Sequence, residues 1–159
     1  MLEAREVTKF FGEIKAVDHV SAAVEEGSVY GLIGTNGAGK STFLRMAAGI
    51  LKPDSGNLFI DGQQVFENIT VKQNLFYIPD EPYFLSNATL EDMGIYYSAV
   101  YKEFDSARFR EMSEQFGLVR RRKVAAFSKG MKKQLAILLG LCSGVKYLLC
   151  DETFDGLDP

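Results

Sequence analysis

The sequence predicts an α/β fold with a parallel sheet flanked by helices, and two runs of residues carry the prediction. Ser28 to Ile33 is a short, nearly continuous apolar run that leads directly into a glycine-rich loop, Gly34 to Gly39, and then into Lys40 to Gly49, where Phe43, Leu44 and Ala47 have helical spacing. An apolar strand of this kind is expected to be covered on both faces, as in a parallel sheet. A second run, Tyr147 to Cys150, ends in Asp151-Glu152. It delivers two carboxylates at a strand's C-terminal end, where ligands gather in open α/β sheets.

The other elements follow from local pattern. Leu2 to Val7 and Val17 to Val24 are rich in apolar and β-branched residues and read as strands around a turn at Gly12, with a second turn at Gly27. Pro53-Asp54-Ser55-Gly56 is a turn cluster, and Asn57 to Ile60 a strand closed by Asp61-Gly62. Phe76 to Ile78 is a further strand, stopped by Pro79. Thr89 to Lys102 is helical, with Thr89 as N-cap and Asp92 three residues on as its capping-box carboxylate. Asp105 to Phe116 repeats the pattern and ends at Gly117. Ser128 precedes a helix whose apolar face is Leu135, Leu138, Leu139 and Cys142. No internal repeat or interdomain linker interrupts this order.

Composition narrows the class. The chain of 159 residues is one domain's worth, enough to bury a core without disulfides or a structural metal. Lys+Arg 18 against Asp+Glu 21 gives a net charge of -3, which argues against general nucleic-acid affinity. Cys142 and Cys150 lie in apolar surroundings and read as buried thiols of a reducing compartment. Leu135 to Cys142, the longest apolar run, falls far short of the roughly 18 residues of a membrane span, and the charged N-terminus is unlike a signal peptide. A cytosolic location is the expectation. Arg120-Arg121-Arg122-Lys123, with Lys129, Lys132 and Lys133 beyond, reads either as a solvated face or as a surface facing an anion or a partner.

Gly34-Thr35-Asn36-Gly37-Ala38-Gly39-Lys40-Ser41 fits G-x-x-x-x-G-K-[ST], the phosphate-binding loop, in its required place between strand and helix. Glycines let such a loop wind so that successive N–H groups face a phosphate, and the helix start adds its positive dipole end. Lys40 is expected to reach the β- and γ-phosphates, Ser41 to ligate Mg²⁺, and Thr42 to bond the α-phosphate. Asp151 is the expected holder of Mg²⁺, and Glu152 the general base for an attacking water.

At these residues the chain resembles the nucleotide-binding subunit of ATP-binding-cassette (ABC) transporters. Gly49 to Gly56 and Asp61-Gly62 resemble the family's connection after the phosphate-loop helix, Phe127-Ser128-Lys129-Gly130-Met131 its signature, and Gly156-Leu157-Asp158 its D-loop. The resemblance implies a P-loop NTPase of the ABC type: one ATPase domain over 1–159 with an antiparallel N-terminal β subdomain and a helical signature subdomain near 83–130. It implies that Asn36, Gly37, Ala38 and Gly39 cradle ATP with Lys40, Ser41 and Thr42. Phe11 would stack on adenine, with Phe10 able to exchange roles or Phe11 to pack in the core. Ser128, Lys129 and Gly130 would contact the γ-phosphate of an ATP held by a second ATPase subunit in a head-to-tail dimer. The implied partner is a transmembrane permease, at the inner face of the membrane.

The sequence departs from the family pattern in three places. Lys129 and Met131 replace a glycine and a glutamine in the signature, a version that resembles exporter-type cassettes. Asp80 stands where the family usually has its Q-loop glutamine, and is expected as a third Mg²⁺ ligand. Family domains run to roughly 200 residues or more and carry a histidine after the D-loop, whereas this chain stops at Pro159, and its only histidine, His19, reads as a turn or strand-edge residue. The sequence thus predicts an incomplete cassette that hydrolyses ATP very slowly alone, with a gap in its sheet. The leading expectation is an export ATPase subunit. A catalytically dead module that pairs with a complete cassette is the alternative, and an ABC protein acting on nucleic acid a third.

Overall fold

Leu2, Ala4 and Val7 are buried in β1 (Leu2–Phe11), which pairs antiparallel with β2 (Ile14–Val24) through a turn at Gly12. In the computed structural model of the protein, residues 1–153 are described, and the chain divides into two compact units, Met1–Gln73 and a second beginning at Asn74. The hairpin is longer than the two short runs predict, because the register continues out to Phe11 and Ile14. Val7 pairs with Val20 and Lys9 with Val17, so Asp18 and His19 together oppose Thr8. This bulge explains the positive φ of 45° at His19, whose N–H donates to the Thr8 hydroxyl at 3.1 Å.

The same unit adds β3 (Ser55–Ile60) on the other side of β1, then β4 (Gln63–Gln64), in the order β2-β1-β3-β4. This is the antiparallel N-terminal sheet expected. Helix α1 (Lys40–Ala47) lies against β2 and β3 and buries Phe43, Met46 and Ala47. One expectation fails. Residues 28–33 pair with no strand among those described, and Val29 and Ile33 stand fully in solvent. Apolar pattern supplies a strand's side chains but not its ladder, and without a bonded neighbour the segment is not a strand.

In the second unit, β5 (Leu75–Ile78) and β6 (Tyr147–Cys150) pair in parallel, Ile78 beside Cys150. The chain between them forms α3 (Leu90–Val100), α4 (Ser106–Gln115) and α5 (Lys129–Cys142). The core joins Phe76 and Ile78 to Met93, Phe109, Leu135, Leu138 and Leu139. A short helix, α2 (Ile69–Lys72) of the first unit, and a 3₁₀ turn at Val124–Ala126 were not legible in the sequence, being too brief to show a period. Cys142 and Cys150 are free thiols whose pKa burial raises, as inert thiols require. Among the described residues no helix is long and apolar enough to cross a membrane.

The basic stretch is not one surface. Arg120 pairs with Glu91, Arg122 donates to the Ala126 carbonyl, and Lys133 is buried. Thr89 caps α3 as predicted: its hydroxyl accepts from the Asp92 N–H, and the Asp92 carboxylate accepts from the Thr89 N–H at 2.8 Å. That backbone bond, followed by the one from the Thr89 hydroxyl, holds the Asp92 carboxyl below the usual carboxylate value. A depressed folded pKa means that the box contributes above the ordinary value of 3.8 and is lost as pH falls through the lower one. Thr89→Ala should lower unfolding stability by about 1 kcal/mol, the usual cost of a lost N-cap. NMR titration should place the Asp92 midpoint below 3.8 and show it moving only partway back in Thr89→Ala, because the backbone donor remains.

Candidate functional site

The glycine loop is shaped by one close approach. Gly39 has φ 89°, and a Cβ there would lie 2.0 Å from the carbonyl oxygen of Ala16 in β2. No residue with a side chain fits. The position therefore needs glycine both for its left-handed backbone and for the space. Gly37 is also left-handed, at φ 82°, and the Ala38 N–H closes a turn onto the Thr35 carbonyl at 3.1 Å. Gly34 to Ala38 are exposed, and α1 begins at Lys40 with no side chain capping it.

Lys40 folds back over this loop. Its ammonium donates to the carbonyls of Gly34 at 2.9 Å and Thr35 at 3.0 Å. An ammonium has three N–H donors, so two hold the loop and one remains for an anion. Ser41 and Thr42 follow in the first turn of α1. The hairpin end is close along the chain to this contact, since Ala16 is two residues from Ile14, the partner of Phe11. Phe11 is 48% exposed with the Lys9 ammonium 5.8 Å above its ring, and Phe10 is 42% exposed with Lys15 over it. Both rings stand at the surface, so core packing is not the role of Phe11.

The second unit carries the acidic residues. Asp151 is 2% exposed at the end of β6, its N–H bonded to the Ile78 carbonyl at 2.8 Å. The Tyr77 hydroxyl donates to its Oδ2 at 2.9 Å. Glu152 follows, exposed, with φ 48°. A left-handed backbone at a residue other than glycine costs on the order of 1–3 kcal/mol and must be held by its surroundings.

What holds it includes Lys133. This lysine of α5 is 2% exposed, and its ammonium donates to the Glu152 carbonyl at 2.7 Å and to Asp80 Oδ1 at 3.0 Å. The Lys133 hydrogen bond holds the Asp80 carboxyl below the usual range; partial burial acts against it, and the charges of Lys133 and Lys129 reinforce it. At the start of α5, the Ser128 hydroxyl accepts from the Met131 N–H at 3.2 Å as N-cap, while Lys129 is exposed and Gly130 half-buried. The expected D-loop, Gly156 to Asp158, lies outside the described residues.

Two contacts at the candidate site do not show in the sequence pattern. Tyr77 looked like one more apolar strand residue, although its hydroxyl needs a partner when buried. Lys133 was grouped with a surface stretch, yet it sits three residues before the buried Ala136 on the core side of α5.

As for a metal, no three His, Cys, Asp or Glu side chains are gathered into a site among the described residues. Mg²⁺ does not require that, because it is commonly bound by one or two carboxylates with phosphate and water. The hydroxyl of Ser41 and the carboxylate of Asp151 are oxygen donors of the kind it takes.

A glycine loop braced by its own lysine at a helix start, with a buried aspartate ending a parallel strand, defines a P-loop NTPase. Residues 17–155 match the family described as ABC transporter, and the chain belongs to that family. It is 32% identical over 158 residues to the ABC transporter ATP-binding protein YtrB of Bacillus subtilis (strain 168), covering 99% of this chain and 54% of that protein. It is 34% identical over 162 residues to the bacitracin transport ATP-binding protein BcrA of Bacillus licheniformis, covering 100% and 53%. The solved ATP-binding subunit of an ABC transporter superposes with TM-score 0.89 at 30% identity, over 99% of this chain and 68% of that one. The chain spans about half the length of these two curated relatives.

Tyr77→Phe should remove a hydrogen bond to a buried carboxylate. The expected loss is about 1.5–3 kcal/mol in urea denaturation; a variant as stable as wild type would show that the hydroxyl does not support Asp151.

Proposed function

We propose that the chain is the ATP-binding part of a transport ATPase that works in export. The observation that carries this reading is the loop from Gly34 to Ser41, whose backbone is forced into shape by Gly39 and held by Lys40.

In this reading Asn36, Gly37, Ala38 and Gly39 present N–H groups to the phosphates, Lys40 bonds the β- and γ-phosphates, and Thr42 bonds the α-phosphate. Phe11 stacks on adenine. Ser41 and Asp151 hold Mg²⁺, which when bound neutralises phosphate charge. Glu152 takes a proton from a water whose oxygen attacks the γ-phosphorus, and ADP leaves with the bridging oxygen. Ser128, Lys129 and Gly130 serve an ATP bound by a second ATPase subunit, paired head to tail. A membrane permease receives the motion at the cytoplasmic face. Export is supported by the Ser-Lys-Gly-Met signature, and transport by the similarity to a protein named for bacitracin transport.

Thermal unfolding with and without ATP and Mg²⁺ tests the binding. At about 100 times Kd the wild type should gain about 2.7 kcal/mol, a shift of several degrees. Lys40→Ala should abolish the shift, and an unchanged shift in that variant would refute the role of the loop. Glu152→Gln should keep the shift, because the carboxamide removes the base and leaves the loop intact. Loss of the shift there would mean that Glu152 serves binding and not proton transfer.

A further inference from the structure

We propose that Lys133 is a positioning residue for Glu152, and that Asp80 is the counter-ion of Lys133 and not a ligand of Mg²⁺. The inference deepens the reading of Glu152 as the base, and it rests on that reading.

A buried ammonium persists only where oxygen atoms replace its water. Lys133 is 2% exposed, and the oxygens that face it include the main-chain carbonyl of Glu152 and the carboxylate of Asp80. The Glu152 bond falls on the residue with the left-handed backbone, φ 48°. Fixing its carbonyl fixes the peptide plane, and with it the direction in which the Glu152 side chain leaves the strand end.

The topology makes this grip consequential. Asp80 follows β5 by two residues and Glu152 follows the adjacent parallel strand β6 by two, so one ammonium from α5 ties both strand exits together. One turn earlier the same helix carries Lys129, beside Ser128 and Gly130. A displacement of the start of α5 is thereby transmitted to the backbone of Glu152.

Charge decides the role of Asp80. Its carboxylate already faces the Lys133 ammonium at 3.0 Å, and the charge of Lys129 also acts on it. A divalent cation at that oxygen would have to displace one ammonium and approach a second. The pair is also asymmetric, because the Asp80 side chain is 44% exposed while that of Lys133 is 2% exposed. Removing Asp80 takes a carboxylate away from a buried ammonium, whereas removing Lys133 leaves a carboxylate that water can reach.

Three variants test this: Asp80→Ala, Lys133→Met and the double variant. The melting point should fall further in Asp80→Ala than in Lys133→Met, and the double variant should recover most of the Asp80→Ala loss. Should Asp80→Ala fail to fold, recovery of folding in the double variant reads the same coupling. Additive losses would overturn the counter-ion role.

Hydrogen exchange followed by mass spectrometry reads the positioning. In Lys133→Met the peptide around 150–153 should exchange about tenfold faster or more, the factor for one lost charge-assisted bond, with the Leu138–Leu139 region unchanged. Acceleration spread evenly through the core would mean that Lys133 only stabilises the fold. The Mg²⁺ concentration that half-saturates the ATP-dependent melting shift should be unchanged in the double variant. A rise of about tenfold there would restore Asp80 as a metal ligand. A wild type without any ATP shift would refute the proposed function instead, and would leave the rescue and exchange results to stand on their own.

Discussion

The site's first unit depends on the approach of the Ala16 carbonyl to the α-carbon of Gly39. At this distance two main chains touch with no side chain between them. That contact fixes where α1 begins, because Lys40 is the next residue. It also sets the loop's curvature, since the chain must reach Gly39 in a left-handed conformation. Lys40 can then bridge back to Gly34 and Thr35, and Phe43, one turn on, enters the core. A sheet residue three positions into β2 thus determines the geometry of a loop that ends more than twenty residues later.

Much of this was legible in the sequence because it rests on local chemistry. The glycines and lysine of the loop announce themselves by spacing. Thr89 and Asp92 announce the start of α3, and Ser128 that of α5, because caps need particular side chains at particular offsets. The strand Tyr147 to Cys150 was found to the residue, since four apolar residues ending in two acids leave little ambiguity.

What escaped depends on distant partners. The apolar pattern of residues 28–33 is that of a buried strand, yet hydrogen bonds from a neighbour make a strand, and the pattern does not report them. Lys133 shows the same limit: its charge points to the surface, while the helical period places it inward. The period proved the better guide, and Asp80 and the Glu152 carbonyl make the burial tolerable. Asp80 itself could be located from the sequence, but its partner lies 53 residues away.

The exposed segment before the loop bears on how strongly the loop can hold an anion. At Gly39 the loop is pinned by sterics, whereas the 28–33 approach to it is held by no sheet ladder among the described residues. Fixing a residue's backbone costs roughly 1–2 kcal/mol of conformational entropy. An anion that orders residues 28–33 as it binds must supply that ordering from its own binding energy. A strand added beside residues 28–33 would do so in advance, and phosphate would then bind a loop whose approach is already fixed. Affinity at the phosphate loop is in this sense a property of the sheet's completeness, set several residues away from any atom that touches the ligand.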